Sequence, residues 1–258
     1  MAGSTTAEWK PGRSAIASRW AAEVNPDNPL PEYPRPQAVR QRWLNLNGLW
    51  DYAIREAAEN GRPRRYDGKI LVPFPVESAL SGVQKPLRPD QKLLYRRTFR
   101  IPAGWAGFKV LLHFGAVDWK AEVWVNGSAA GSHTGGYYPF SADITALLRE
   151  GENELSVAVW DPTDACGQER GKQVLKPGGI FYTAVSGIWQ TVWLEPVPPQ
   201  YIGPFRLTPD LDEGELRLQI GLSGEGDGED SFTLAAAAFA GGREAGAVRG
   251  KIGEEIKL

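Results

Sequence analysis

Residues 110–127 read VLLHFGAVDWKAEVWVNG, and the fold turns on this stretch. Val110 to Ala116 is apolar on both faces, the mark of a central strand covered on two sides. Ala121, Val123 and Val125 follow at every second position, as in a strand with one buried face. Asn126-Gly127 comes next. Asn-Gly between two strand-like runs is a strong hairpin signal, because a type I′ turn requires positive φ at both central positions.

The same two-residue alternation recurs on either side. Trp50, Tyr52 and Ile54 alternate with Asp51 and Ala53, and Tyr95, Arg97, Phe99 and Ile101 with Arg96, Thr98 and Arg100. Leu155, Val157 and Val159 form another such run, as do Ile188, Gln190, Val192 and Leu194. Helical signals are brief. Asp143 can cap a turn over Ile144 to Leu148 that stops at Gly151, and Ala15 to Val24 could form a short helix. Many short strands, few helices and abundant turns predict an all-β chain, a jelly-roll β-sandwich.

The boundaries follow from proline. Pro26, Pro29, Pro31, Pro34 and Pro36 cannot sit inside a regular ladder or helix, so residues 1–38 are expected to be an extended arm. Residues 39–198 are then the jelly roll. Pro196, Pro198 and Pro199 close it. Beyond them Leu216, Leu218, Ile220 and Leu222 alternate again, Gly224 to Asp230 reads as a turn, and Phe232 to Phe239 is a further apolar run. Three or four strands fit residues 199–258. A complete immunoglobulin-like sandwich takes ~100 residues, so an incomplete one is predicted.

Composition narrows the function. Twenty-nine Lys and Arg against 31 Asp and Glu leave a net charge of −2 among 258 residues, which gives no electrostatic footprint for nucleic acid or an anionic membrane. One cysteine and two histidines argue against a disulfide framework and against a Cys- or His-based metal centre. No cofactor or metal is implied. The first 30 residues hold no apolar leader segment and the longest small-apolar run, Leu234 to Ala240, is far short of a membrane span of ~20 residues. A cytoplasmic location is the expectation, with periplasm or exterior open if a leader has been removed.

Three ordered segments carry identity. They are Pro34-Arg35-Pro36-Gln37 with WLNLNGLWD at 43–51; VWVNG at 123–127 with Gly131-Ser132-His133, Gly135-Gly136-Tyr137, Pro139-Phe140 and Asp143-Ile144-Thr145; and SGIWQTVWLE at 186–195. In this order and spacing they resemble the N-terminal sugar-binding domain of glycoside hydrolase family 2, which includes β-galactosidases, β-glucuronidases and β-mannosidases. The resemblance covers residues 34 to 196, and the tail from about 200 is similar to the start of the family's immunoglobulin-like second domain. It implies a galactose-binding-domain-like jelly roll, a carbohydrate ligand, and a partner in the catalytic barrel of the same polypeptide. Homo-oligomers are common in the family. The family cleaves β-glycosides with retention, using two Glu on a (β/α)₈ barrel. Retention needs carboxyl groups ~5–5.5 Å apart and the barrel needs ~250 residues. The jelly roll leaves far fewer, so no residue here is assigned a catalytic role, and the chain alone is predicted to be inactive. Asn153-Glu154 imitates the family's acid/base pair but reads as an exposed turn leading into a strand.

In the family, jelly-roll loops reach the active-site rim. The candidate here is DPTDACGQERGKQVLKPGGIFYT at 161–183, longer than the ~12–15 residues beyond which a loop is usually functional or disordered. Asp161, Asp164 and Arg170 are the groups that bond sugar hydroxyls in pairs, and Phe181 and Tyr182 offer flat faces to a pyranose ring. Typical β-galactosidases and β-glucuronidases carry a sugar-contacting Asp five residues before the segment matching Ser186-Gly187-Ile188, where this chain has Phe181. Recognition of a galactoside or glucuronide by that route is therefore in doubt. The remaining candidates read as structural: a hydrogen-bonded His133 beside a Gly-Gly turn, a buried His113, an Arg97 needing Asp51 or Asp118 if buried, a Glu77 at a surface turn or bonded to the arm, and Trp124, Trp160, Trp189 and Trp193 packed in the core or between domains. A free-standing carbohydrate-binding module and a purely structural interaction domain are the competing readings.

Overall fold

The structure is a computed structural model that describes residues 9–14, 16–59, 61–226, 228 and 231–258. Residues 1–8 and Ala15 of the expected arm, and Asp227, Glu229 and Asp230 of the expected acidic turn, lie outside the described residues. The strands of the first part are β1 Leu44–Asn45, β2 Gly48–Glu56, β3 Gly68–Val72, β4 Gln91–Arg100, β5 Lys109–Phe114, β6 Val117–Asp118 and β7 Lys120–Val125. They continue with β8 Ser128–Thr134, β9 Phe140–Asp143, β10 Glu152–Trp160, β11 Gln173–Val174, β12 Tyr182–Thr183, β13 Gly187–Ile188 and β14 Val192–Val197. The later strands are β15 Gln200–Asp210, β16 Glu215–Gly224, β17 Thr233–Ala240, β18 Arg243–Lys251 and β19 Glu255–Lys257. The chain forms two compact units, Met1–Ala106 with Val110–Pro196, and Gly107–Lys109 with Val197–Leu258.

The first unit is a sandwich of a six-stranded sheet, β3-β2-β4-β10-β7-β8, and a four-stranded sheet, β1-β14-β5-β9. Alternation decides what each strand buries. Trp50 and Tyr52 of β2, Leu93 and Tyr95 of β4, Leu155 and Val157 of β10, and Val123 and Val125 of β7 meet Val110, Leu112 and Phe114 of β5 in one core. Each such side chain stabilises the fold by ~1.5–3 kcal/mol on leaving water. The β7–β8 hairpin turns as predicted, with Asn126 at φ 53° and Gly127 at φ 87°.

The second face of β5 is covered too, by the arm. Leu111 and His113 are buried; His113 stacks on Trp193 at 4.8 Å and its Nε2 lies 3.4 Å from the fully buried Glu195. Glu195 accepts hydrogen bonds from Tyr33 Oη at 2.5 Å, Arg35 Nη2 at 2.6 Å and Trp193 Nε1 at 2.7 Å, and pairs with Arg40 Nε at 2.9 Å. Burial raises the Glu195 pKa, but the donors from His113, Tyr33 and Trp193 outweigh it and hold the carboxyl well below the usual range.

Several local expectations change. The helix expected over Ala15–Val24 is one 3₁₀ turn, Arg19–Glu23, without a side-chain cap at Ser18; Pro26 disfavours helical backbone at Asn25 and ends it. The helix expected over Ile144–Leu148 is a 3₁₀ turn, Thr145–Leu147, with Asp143 Oδ1 accepting from Thr145 N. Asn153 Oδ1 takes the Arg149 N–H, so the turn does not propagate. Neither expected carboxylate serves Arg97: Asp51 pairs with Arg96 and Lys69 on the opposite face of the sheet. Glu154 is not in a turn but on β10, paired with Arg62 at 2.6 Å.

The second unit holds a three-stranded sheet, β15-β16-β19, and a hairpin, β17-β18. Leu218, Leu234, Ile252 and Ile256 form its small core. No closed barrel of parallel strands occurs among the described residues.

Candidate functional site

The 161–185 loop is built on buried carboxyl groups. Asp161, just past the end of β10, is 2% exposed. Its Oδ1 accepts from Thr163 N at 2.7 Å and its Oδ2 from Ser186 Oγ at 2.6 Å. Ser186 N donates to Glu77 Oε2 at 2.9 Å, while Glu77 Oε1 is buried without a hydrogen bond among the described residues. Asp118, at the end of β6, is 3% exposed and accepts from Gln173 Nε2 at 3.3 Å. A Cβ on Gly136 would stand 2.5 Å from Asp118 Oδ1, so only glycine permits this approach.

Gln173 ties the bed to the surface. Its Oε1 accepts from Val185 N at 2.6 Å and its Nε2 also donates to Tyr137 Oη at 3.0 Å. Tyr137 lies edge-on to Trp189 at 6.0 Å, and Trp189 Nε1 donates to Gly136 O. The loop, expected to lack regular structure, contains a parallel pairing of β11 with β12.

Among the described residues these carboxyls form no ion pair, and their acidity shifts accordingly. Burial, then the charge of Asp161, pushes Asp118 up to about 7. Burial pushes Glu77 up to about 7 against the hydrogen bonds from Ser186. Asp161 is raised too, again by burial first. Near neutrality the bed therefore carries protons that ordinary carboxylates would have lost.

The expected site residues divide. Asp161 faces inward with both oxygens taken, so it anchors the loop instead of offering lone pairs outward. Arg170 Nη1 is engaged by Gln173 O at 2.6 Å. Asp164 is exposed, and Phe181 and Tyr182 are 43% and 63% exposed. Lys172 Nζ sits 5.8 Å from the centre of the Tyr182 ring. Tyr137 and Tyr138, not singled out from the sequence, are exposed as well. The only signal for them was the Gly-Gly turn that precedes them. Glu77, expected at the surface, is half-buried and joins the bed by accepting from Ser186 N. His133 stacks on Phe140 at 4.4 Å, and its Nε2 is buried without a hydrogen bond among the described residues. Trp193 is core, as expected, but Trp124, Trp160 and Trp189 are only half-buried.

Among the described residues no group of three or more His, Cys, Asp or Glu is disposed to hold a metal ion, and no helix is long and apolar enough to cross a membrane. The buried carboxyls are spent on backbone and side-chain donors within the loop. The arrangement leaves aromatic faces and polar groups exposed above a hydrogen-bonded base.

Residues 33–198 match the family described as glycosyl hydrolases family 2, sugar binding domain. The β-glucuronidase of Felis catus is 33% identical over 230 residues, which cover 74% of this chain and 34% of that protein. The β-glucuronidase of Sus scrofa is 28% identical over 237 residues, 78% of this chain and 35% of its own length. Among solved structures, the Bifidobacterium dentium β-glucuronidase complexed with coumarin-3-O-glucuronide superimposes with a TM-score of 0.64 at 21% identity, over 86% of this chain and 43% of that one. The chain thus spans about a third of the length of these mammalian relatives. With the jelly roll, the ordered segments and the matched span in agreement, the chain belongs to glycoside hydrolase family 2 and carries its sugar-binding domain.

Proposed function

We propose that this chain supplies the sugar-facing rim of a retaining β-glycosidase, while the hydrolysis of the O-glycosyl bond belongs to a catalytic barrel of the same polypeptide. One observation carries the reading. The 161–185 loop raises Phe181 and Tyr182 into solvent on a base of buried, hydrogen-bonded carboxyls. A pyranose presents an apolar ring face and hydroxyls around its edge, so it needs a flat aromatic surface with polar groups beside it. Phe181 and Tyr182 provide the first, and Asp164 with Arg170 the second. Asp161, Asp118, Glu77 and Gln173 hold them in place.

The carboxyl bed supports binding and does not support bond cleavage. A retaining pair must include an ionised nucleophile open to the anomeric carbon, whereas Asp118 and Asp161 are almost wholly enclosed. Phe181 in place of a sugar-binding Asp removes a charged hydrogen-bond acceptor, and this favours recognition through ring faces over recognition of one hydroxyl pattern.

The test is saturation-transfer NMR on the 258-residue chain with methyl β-galactoside, β-glucuronide and β-mannoside at millimolar concentration. Transfer from protein to at least one glycoside, lost in Tyr182→Ala, is the expected result. No transfer to any of the three, or transfer indifferent to Tyr182→Ala and Phe181→Ala in a Trp124→Ala background, would overturn the reading.

A further inference from the structure

The outer face of the six-stranded sheet holds a second feature that the rim does not use. Leu155, Val157 and Val159 of β10 point into the core, so Ser156, Ala158 and Trp160 point outward by the two-residue period. The neighbours on that face follow from register. Ser156 lies between Arg96 of β4 and Trp124 of β7, Ala158 between Leu94 and Glu122, and Trp160 beside Lys120. Ser156 and Ala158 are small and their neighbours Arg96, Trp124, Leu94 and Glu122 are larger, so a trough runs along β10 as far as Trp160. Tyr66 and Pro63, from the connection between β2 and β3, close one side of it.

Two cavities of about 390 and 310 Å³ fill this trough and share Lys92, Glu122 and Ala158. Small-molecule sites begin at ~300 Å³. From Ser156 to Trp160 the strand advances ~13 Å at ~3.3 Å per residue, long enough for two linked sugar rings.

The lining is that of a sugar site and not of a buried protein contact. The trough's apolar lining is Ala158 with Leu94 and Ala53 on one side, against which Tyr66 and Trp124 pack; both rings are half-buried, and Arg96 lies over Tyr66 at 4.7 Å, which leaves the ring's other face for a ligand. Trp160 borders the far end, oriented by its Nε1–H on Pro89 O at 2.8 Å. Glu122 is exposed. Its carboxylate has no hydrogen bond or ion pair among the described residues, nor has Trp124 Nε1. A half-exposed aromatic side chain and an exposed carboxylate thus border the same trough.

We propose that this trough binds a β-linked oligosaccharide lying along β10, with one ring against Trp124 and Tyr66, a second toward Trp160, and hydroxyls bonded to Glu122. Lys92, Lys120 and Arg62 border the same trough, so a uronic-acid chain and a neutral one share the ring chemistry and differ in charge.

Calorimetric titration of the 258-residue chain with cellotetraose and, separately, tetragalacturonate tests this. Binding of at least one at millimolar or tighter affinity is expected, weakened at least tenfold by Trp124→Ala and several-fold by Glu122→Gln. The second variant alters an exposed carboxylate and leaves folding unaffected. Tyr182→Ala, which disables the rim, should leave this affinity unchanged, so the two sites fail separately. Neither oligosaccharide binding, or binding that survives both Trp124→Ala and Glu122→Gln, would overturn the proposal. So would binding that follows Tyr182, or a concentration-dependent dimer abolished by Trp124→Ala, which would make the trough a contact between copies.

Discussion

Two groups of buried carboxyls lie in the same sandwich and behave oppositely. Glu195 is fully enclosed and receives Arg35, Arg40, Tyr33 and Trp193. Asp118 and Asp161 are nearly as enclosed, Glu77 is half-buried, and the hydrogen bonds they receive come from the neutral donors Gln173, Thr163 and Ser186. Burial pushes every carboxyl pKa upward. Around Glu195 the donors reverse that push, whereas under the loop they do not, so Asp118 and Glu77 are left at about 7. Burial alone therefore says little about charge; the partners decide it. The first group is a charged pin for the arm, the second a bed whose carboxyls hold protons to higher pH than ordinary carboxylates do.

Removing the pin should have the largest effect. Glu195→Ala leaves two guanidinium groups without their carboxylate, and breaking a buried pair from one side costs ~3–5 kcal/mol. Arg35 and Arg40 keep 34% and 27% of their side chains in water, which screens them and points to the lower end. Urea denaturation should show that loss. A loss below ~1 kcal/mol would mean that the arm is held by something else.

The bed predicts the opposite pH dependence from the pin. Asp118 and Glu77 bind protons more tightly folded than unfolded, from ordinary values of 3.8 and 4.5 up to about 7. Their stabilisation is complete below pH ~4 and is lost as pH rises through 7; one pKa unit is ~1.4 kcal/mol. Glu195 is depressed instead, so its contribution is complete above ~4.5 and is lost in acid. Stability should then fall by a few kcal/mol between pH 5 and 8. Asp118→Asn, which mimics the neutral acid, should flatten part of that slope and stabilise the chain at pH 8. A slope unchanged in Asp118→Asn would show that the bed is already ionised.

A single neutral latch should cost less. Gln173 joins Val185, Asp118 and Tyr137, and truncating it leaves a buried N–H and a buried carboxyl without partners. Gln173→Ala should cost ~1–3 kcal/mol, with faster amide exchange at Val185 and no change at Ile188, which donates to Tyr95 Oη instead.

What the sequence disclosed follows the reach of each interaction. The Asn126-Gly127 turn and the alternating faces of β2, β4, β7 and β10 depend on neighbours along the chain, so they could be read directly. Glu77 looked like surface because its partner, Ser186, lies 109 positions away. Arg35 and Glu195 stood in two of the segments that identify the family, yet nothing local joined them across 160 positions. Arg97 was given Asp51 because alternation says which residues share a face, whereas register says which ones touch. The loop residues with sugar-binding chemistry were legible by type only. Gln173 and Asp161 carry the right groups and spend them inward, while Phe181 and Tyr182 carry them outward. The half-buried state of Trp124 and Trp160 was likewise hidden, since a strand with one wet face and one covered on both sides share apolar residues.

The smallest effect separates redundancy from necessity within the pin. Tyr33 Oη donates its one proton to Glu195 Oε1, the shorter of its two contacts with acceptors (Ala38 O lies at 3.0 Å), and accepts from Arg35 Nη2. In Tyr33→Phe the Glu195 Oε1 still accepts from Arg35 Nη2 and Trp193 Nε1. No charge is left alone and no cavity opens, so the cost should be ~1 kcal/mol, that of one hydrogen bond. The acid limb is the finer readout. Losing one donor to the ionised form lets the Glu195 pKa rise, and the acid unfolding midpoint should move to higher pH while the limb above pH 5 stays where Asp118 and Glu77 put it. Movement of both limbs together would show that pin and bed are one coupled network, and the contrast between them would then fail.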